Sequence, residues 1–178
     1  MSFIHSFPPI VDAQSRTLIL GSMPGKASLL ARQYYAHPRN AFWPILCDLL
    51  GAGHGLGYDE RIALLRAHRI ALWDVLKLCT RQSSLDSDIV ESSIQTQDFA
   101  DLFARHPSID RVFFNGAKAQ ASYLKYVSPT VAALAPRIAY TRLPSTSPAH
   151  AGWSLSRKRE AWQAILLPPQ WPEHGSMA

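Results

Sequence analysis

The chain has 178 residues, of which 47% are apolar, and it carries a formal net charge of +5. That length is typical of a single domain, here residues 1–178, which buries roughly two-thirds of the surface of its unfolded chain. The apolar runs are too short to cross a bilayer and no export signal is visible, so we expect a cytoplasmic protein without a membrane partner; the positive charge favours an anionic partner.

The first half of the chain predicts two strands and two helices. Residues 16–22, "RTLILGS", are rich in leucine and β-branched side chains and stop at a glycine turn, which indicates a strand buried on both faces. Residues 41–50 are apolar with a helical period and residues 58–69 are amphipathic, so both segments predict helices. Residues 70–76 predict a second buried strand, and the polar residues 81–93 predict an exposed loop.

The second half continues the alternation of strand and helix. Residues 96–106 predict a helix that leads into a third strand over residues 111–116. A helix of small residues is predicted over 117–126, and a fourth strand over 137–144. The closing helix, predicted over 154–167, has serine available as its N-cap.

This alternation predicts an α/β fold with one parallel sheet. Parallel neighbours are joined through helices, so we expect a three-layer α/β/α sandwich with about four central strands. In such folds ligands bind at the carboxyl ends of the strands. The predicted strand ends carry the segments "GSMPG", "WDVLKLC", "FNGAKA" and "LPSTSPAHAGW".

Two of these strand ends could hold an anion. In "GSMPGKAS" the glycines let backbone N–H groups approach a ligand closely, although the segment matches neither common nucleotide-binding glycine motif. The hydroxyl-rich loop "LPSTSPAHAGW" is followed by the cations Arg157 and Lys158 near the positive end of a predicted helix, which suggests an external anion. A structural turn and a solvated helix face are the alternative interpretations.

Few other residues indicate chemistry. Asp74 is the acidic residue of interest because it lies at a predicted strand end, and His37 and His150 are loop candidates for phosphate or base contacts. The acidic residues and histidines show no metal-ligand spacing. Cys47 and Cys79 are too few for an iron–sulfur cluster and predict buried, reduced thiols. We therefore expect neither a metal nor another cofactor.

Three motifs resemble those of the uracil-DNA glycosylase superfamily. "LILGSMPG" resembles its first motif, "AHPRNAFW" the AHPxNRFW segment of its mismatch-specific members, and "LPSTSPAH" its late LPNPSGLS or HPSPLS motif. The likeness is closest to the hypoxanthine-DNA glycosylase branch and extends along nearly the whole chain. The resemblance implies a groove for duplex DNA and a pocket into which one deaminated base is extruded.

The resemblance also implies roles for individual residues. Met23 stands where relatives carry a catalytic Asn or Asp, so Asn40 in the aromatic segment is the predicted catalytic residue. Phe42 is predicted to stack on the base, and Ser22 and Met23 to line its pocket with Asn115, which could instead bond within its own loop. The residues predicted to contact DNA phosphates or the groove are Lys26, Ser145, Thr146, Ser147, His150, Arg157 and Lys158.

These inferences favour a monofunctional DNA glycosylase that releases hypoxanthine from deoxyinosine. Met23 and Ser145 replace residues that the relatives use in uracil excision, so ordinary uracil release is disfavoured. The alternatives are a uracil or thymine mismatch-specific glycosylase, a catalytically inactive DNA-binding relative, and a nucleotide-binding α/β domain. We expect a monomer that acts on double-stranded DNA and, in a bacterium, associates with the nucleoid.

Overall fold

The computed structural model of the protein describes residues 3–134 and 137–168. In chain order the strands are β1 (Phe3–His5), β2 (Thr17–Gly21), β3 (Ile70–Asp74), β4 (Leu76–Thr80), β5 (Gln95–Thr96), β6 (Arg111–Asn115) and β7 (Ala139–Leu143). The α-helices are α1 (Lys26–Ala31), α2 (Phe42–Leu49), α3 (Tyr58–Ala67), α4 (Phe99–Arg105), α5 (Ala117–Ser122), α6 (Ser128–Val131) and α7 (Leu155–Trp162). No helix in the described ranges is long and apolar enough to cross a membrane.

Four parallel strands form the central sheet in the order β3-β2-β6-β7. The registers place Gly21 beside Asp74 at one pair of carboxyl ends and Asn115 beside Leu143 at another. The sheet lies between helices, so the predicted three-layer α/β/α fold is confirmed. The carboxyl ends of all four strands therefore share one edge of the sheet.

Alternate residues of the central strands separate two hydrophobic cores. On β2, Leu18 and Leu20 point into the core that contains Phe99 of α4, whereas Ile19 points into the core that contains Phe42 of α2 and Trp162 of α7. This follows from the two-residue period of a strand, which sends successive side chains to opposite faces. A central strand such as β2 therefore needs apolar residues at every position, because helices cover both faces of the sheet.

Helices α2 and α7 begin as the sequence predicts. Pro44 lies in the first turn of α2, where its missing N–H breaks no helical hydrogen bond. Ser154 caps α7, and its hydroxyl accepts a hydrogen bond from the Arg157 N–H at 3.2 Å. These starts fix the direction in which both helices leave the loops at the carboxyl edge.

A second, antiparallel sheet was not predicted. Its strand order is β1-β4-β5, and Phe3 pairs with Thr80 across most of the first half of the chain. The predicted strand over residues 70–76 instead ends at Asp74, and after Val75 the chain enters β4. The apolar run over residues 70–76 continues through Val75, and β1, the strand that pairs with β4, is remote in sequence. The local sequence therefore gives little indication that the chain passes from one sheet to the other.

The segment over residues 81–93 is more ordered than the predicted exposed loop. It contains two short 3₁₀ turns, Asp86–Asp88 and Glu91–Ser93, and an isolated antiparallel bridge between Arg81 and Ile89. Arg81 is buried, and its guanidinium donates a hydrogen bond to the Pro24 carbonyl oxygen. The prediction of an exposed loop was therefore wrong for Arg81 and Ile89, which are buried.

Candidate active site

A cavity of about 560 Å³ opens at the carboxyl edge of the parallel sheet. The last residues of β2, β3 and β6 line it, namely Gly21, Asp74 and Asn115. Residues 145–150, from the loop after β7, form another wall. The cavity thus lies where ligands bind in open α/β sheets, and its volume is that of a pocket for a small ligand.

The turn after β2 brings Ser22, Met23 and Lys26 into the cavity lining. Met23 is largely buried and packs in one of the two hydrophobic cores, so it offers an apolar surface. The Ser22 hydroxyl donates a hydrogen bond to Oδ1 of Asp86 at 2.6 Å. Lys26 is exposed at the rim and supplies a cation there.

Tyr35, and not Phe42, presents an aromatic ring to the cavity. Phe42 is fully buried because Tyr35 stacks on it, with 3.9 Å between ring centroids and 19° between ring planes. Trp162 packs edge-on against Phe42 at 5.8 Å. Tyr35 lines the cavity and Phe42 does not, so the structure does not place the Phe42 ring where the predicted contact with a base requires it. Phe42 instead packs behind the Tyr35 ring, which can contact a base.

Asn40 lines both this cavity and a second one of about 320 Å³. Its side-chain Oδ1 accepts a hydrogen bond from the Phe42 N–H at 3.0 Å. Its own N–H donates to the His37 carbonyl oxygen at 2.9 Å. These bonds fix the amide at the entrance to α2. An amide oxygen has two lone pairs and an amide nitrogen two protons, so Asn40 can still bond a water or a ligand.

Residues 84–87 form a wall that sequence reasoning missed. Ser84 holds this wall in place, because its hydroxyl accepts a hydrogen bond from the Lys26 N–H at 3.0 Å. Asp86 is held by Ser22, as described above. The contacts join positions 58 and 64 residues apart, so no local pattern could have revealed them.

Asn115 and Thr146 bind one another. The Asn115 Nδ2 donates to Oγ1 of Thr146 at 2.8 Å, and the Thr146 N–H donates to Oδ1 of Asn115 at 2.9 Å. Thr146 is buried, and its carbonyl oxygen accepts from the Ala41 N–H at 3.0 Å. Thr146 lines both cavities and its hydroxyl keeps its proton for donation, so its contact with a phosphate stays a prediction. Asn115 lines the cavity, and its amide keeps one N–H and one oxygen lone pair beyond these two bonds.

The hydroxyls of Ser145 and Ser147 remain available to a ligand. Oγ of Ser145 accepts from the Ser147 N–H at 3.2 Å, and Oγ of Ser147 accepts from the Ala149 N–H at 3.2 Å. Each hydroxyl keeps its proton for donation, and both residues line the cavity. His150 lines both cavities, and its Nδ1 is buried without a hydrogen-bond partner in the described residues.

The two predicted cations of α7 differ in their surroundings. Lys158 is buried, and its Nζ donates to the Ser147 carbonyl oxygen at 3.4 Å. Burial lowers the pKa of Lys158. The Lys158 ammonium thus supports the loop after β7, and because Lys158 also lines the second cavity, its contact with DNA phosphates or the groove stays a prediction. Arg157 is exposed, and its guanidinium lies 3.9 Å from the centre of the Trp153 ring.

Asp74 is a buried carboxyl group in the cavity lining. Its Oδ2 accepts a hydrogen bond from the Ser6 hydroxyl at 2.8 Å. Burial raises the pKa of Asp74 to about 7, although the Ser6 hydrogen bond opposes the rise. A carboxyl group with such a pKa can act as an acid or a base near neutral pH. The position of Asp74 at a strand end was the signal for it in the sequence.

The histidine, cysteine and acidic side chains are the groups that could bind a metal ion. Within residues 3–134 and 137–168, no group of three of them could hold a metal ion. The buried thiols of Cys47 and Cys79 lie in separate parts of the fold, in α2 and β4.

Comparison with known proteins agrees with the fold. A model of the uracil DNA glycosylase superfamily matches residues 8–166. A protein of Methanosarcina acetivorans named hypoxanthine DNA glycosylase is 34% identical over 163 residues, which cover 91% of this chain and 97% of the relative. A protein of the same name from Methanosarcina barkeri is 38% identical over 115 residues, covering 64% of this chain and 72% of the relative.

A solved structure gives the same result. The solution NMR structure of a candidate uracil DNA glycosylase from Methanosarcina acetivorans superposes with a TM-score of 0.75 at 33% identity, and the match covers 92% of this chain and 96% of that one. The family model and the long relative each span most of the chain, including the strand ends and loops that line the cavity. The chain therefore belongs to the uracil DNA glycosylase superfamily.

Proposed function

We propose that this protein is a monofunctional DNA glycosylase that hydrolyses the N-glycosidic bond of deoxyinosine in duplex DNA. The products are free hypoxanthine and an abasic site. The observation that carries the proposal is the cavity at the carboxyl edge. Both Asn40 and Met23 line this cavity, and of the two only Asn40 has a polar side chain. The relatives named hypoxanthine DNA glycosylase support this choice of substrate.

A base can react at this site only after it leaves the DNA stack. Enzymes of this kind extrude the target nucleotide into a pocket at a cost of a few kcal/mol. The cavity volume of about 560 Å³ is large enough for a purine. The Tyr35 ring in its wall can stack on the extruded base, with Phe42 behind it.

Asn40 is the residue that we assign to positioning the attacking water. Its Oδ1 is oriented by the Phe42 N–H and has a second lone pair that can accept a hydrogen bond from water. A water held in this way near C1′ of the sugar needs less reorganisation to react. Asn40 lines both cavities, so it lies between the proposed base pocket and the second cavity.

The second cavity is the proposed path of the DNA backbone next to the extruded nucleotide. It is lined by Arg39, Ser147, His150 and Trp153, and it shares Asn40 with the base pocket. The Ser147 hydroxyl and the exposed Arg39 can donate to phosphate oxygens. Contact with phosphates positions the duplex and does not read its sequence.

Substitution of Asn40 tests the catalytic assignment. Loss of one preorganised polar group typically lowers the rate about 10²- to 10³-fold, which we expect for Asn40→Ala in single-turnover release of hypoxanthine. Asn40→Ser is the matched variant, because a serine hydroxyl can still accept the Phe42 N–H and preserve the turn. We expect both variants to be similarly slow. Wild-type release by a folded Asn40→Ser protein would reject the role.

A panel of damaged duplexes tests the substrate. Duplexes that contain inosine, uracil, xanthine or a G:T mismatch are incubated with the protein and scored for alkali-sensitive abasic sites. We expect the inosine duplex to be cleaved fastest. A faster reaction with uracil or mismatched thymine would contradict the proposed specificity, and salt-dependent binding without product on any duplex would contradict the activity.

A further inference from the structure

Asp74 occupies the floor of the base pocket, and the role assigned to Asn40 leaves it without a function. Its Oδ2 is engaged by the Ser6 hydroxyl, but Oδ1 accepts no hydrogen bond within the described part of the chain. A β-carbon at Gly21 would lie 2.5 Å from this Oδ1, so the carboxyl group packs directly against the end of β2. Because Asp74 also lines the cavity, one carboxyl oxygen is free for a ligand.

The groups around Asp74 explain its protonation. Burial raises its pKa to about 7, the Ser6 hydrogen bond and the charge of Arg81 lower it, and the charge of Asp86 raises it. Tyr34 and Tyr35 also face the carboxyl group, and both have pKa values raised by their own burial, so they stay neutral near pH 7. A substantial fraction of Asp74 therefore carries a proton at neutral pH and can donate it.

Departure of a purine calls for a proton donor. When the bond between C1′ and N9 breaks, the bonding electron pair stays on the base, and a proton delivered to N7 neutralises that charge. Hypoxanthine, like guanine, presents N7 and O6 acceptors on one edge, whereas adenine presents N7 and an amino donor. A carboxyl O–H can donate to the N7 acceptor, which both edges share.

We propose that Asp74 is the general acid of this reaction and delivers its proton to N7 of the departing hypoxanthine. The water oxygen bonds to C1′, the C1′–N9 pair passes to the base, and the second proton of the water leaves to solvent, from which the Asp74 carboxylate regains one. The inference rests on the proposed function, because it takes hypoxanthine as the leaving group. Asp74 is then a catalytic residue together with Asn40.

The conservative variant Asp74→Asn removes the proton and keeps the shape. Its amide oxygen can still accept the Ser6 hydroxyl, so we expect the fold and the affinity for an inosine duplex to be retained. Single-turnover release of hypoxanthine should fall about 10²- to 10⁴-fold, the usual contribution of general acid catalysis. Asp88→Asn is the control, because Asp88 is exposed outside the cavity lining, and it should react at the wild-type rate.

The pH dependence supplies a second test, and its first measurement uses the wild-type protein alone. The wild-type rate should fall as the pH rises through about 7, because the protonated form of Asp74 is lost. The remaining activity of Asp74→Asn should lack this fall. The raised pKa also means that the folded protein retains a proton that the unfolded chain releases, so wild-type stability should decline between about pH 4 and 7 relative to that of the variant.

A modified substrate identifies the atom that receives the proton. In duplexes that carry 7-deaza-deoxyinosine, a carbon replaces N7, so the wild-type rate should fall to that of Asp74→Asn, and the variant should not slow further. Wild-type release of the 7-deaza base at the normal rate, or an unchanged rate and pH profile in Asp74→Asn, would overturn the proposal. Absence of hypoxanthine release by the wild-type protein would instead overturn the proposed function.

Discussion

At the scale of single residues, Tyr35 combines several features that do not favour stability. Its backbone has a positive φ of 54°, which is uncommon for a residue with a bulky side chain. Its hydroxyl is buried and has no hydrogen-bond partner in the described residues. Buried polar groups without partners and strained backbone are concentrated at functional sites. Tyr35 is therefore better explained by a ligand than by the fold alone.

Substitution of Tyr35 separates its ring from its hydroxyl. Tyr35→Ala removes the ring in the cavity wall, and we expect it to lose roughly 1 to 3 kcal/mol of binding to an inosine duplex, the value of one stacking contact. Tyr35→Phe keeps the ring, removes a buried unpaired hydroxyl and should bind within a few-fold of wild type. Fluorescence titration against inosine and undamaged duplexes measures both. Equal binding by Tyr35→Ala and wild type would exclude stacking.

The pair of Tyr35 and Phe42 also shows what the sequence could predict about the site. Ser22 and Met23 follow the end of β2, and Asn40 belongs to the motif just before α2; all three line the cavity, as their motifs predict. Phe42 belongs to the same motif, but it is the first residue of α2 and the helix turns it into the core. Which ring faces a cavity depends on packing against distant residues, and a local pattern does not contain that information.

At the scale of elements, the site depends on a clamp between the end of β6 and the loop after β7. Asn115 and Thr146 exchange two hydrogen bonds, and the Thr146 carbonyl oxygen holds the Ala41 N–H at the start of α2. Gly116, at a φ of 96°, lets the chain pass close to Ser145, which a β-carbon would approach to 3.0 Å. Three segments that are distant in sequence are thereby fixed to one another around the cavity.

Breaking this clamp should lower the free energy of unfolding. Asn115→Ala leaves the Thr146 N–H and hydroxyl without their partner, at an expected cost of about 1 to 3 kcal/mol. Thr146→Val is the matched change, because it keeps the shape and removes only the hydroxyl. Urea unfolding of the two variants and of the double variant forms a cycle, in which we expect the double change to cost less than the sum. Strict additivity would show that the two residues act independently.

The regular elements were more predictable than the walls of the site. The buried run in β2 and the periodic apolar face of α2 are local patterns, and each was found within one or two residues of its predicted bounds. The switch from β3 to β4 and the wall formed by residues 84–87 depend on pairing with Phe3–His5 and on bonds to the turn after β2. The residues that hold these segments in place lie far along the chain, so neither structure can be predicted from the sequence of the segment itself.

At the scale of the whole molecule, several cations without an ion pair in the described ranges lie at the carboxyl edge of the sheet. Lys26, Arg39 and Arg157 form no ion pair within the described ranges. At the opposite edge, Arg16 before β2 is paired with Asp110 before β6. These three cations therefore place part of the net charge of +5 on the side where the proposed DNA path lies.

Arg157 provides the clearest test of this arrangement. The Trp153 ring, 3.9 Å from its guanidinium, holds the cation beside the second cavity, so it can contact a phosphate there. We expect Arg157→Ala to weaken binding of inosine and undamaged duplexes by the same factor, and to reduce the slope of log K against log salt by about 1. Release of hypoxanthine at saturating protein should be unchanged, because the contact acts on binding and not on the reacting bond.

The matched control for that measurement is Arg66→Ala, which removes the same charge from the exposed last turn of α3. Helix α3 leads into the amino end of β3, so Arg66 lies away from the carboxyl edge and its loss should leave the salt slope near the wild-type value. If both variants reduced the slope equally, binding would follow net charge alone. If neither did, the duplex would have to cross a different surface, because a phosphate contact contributes to the slope wherever it is made.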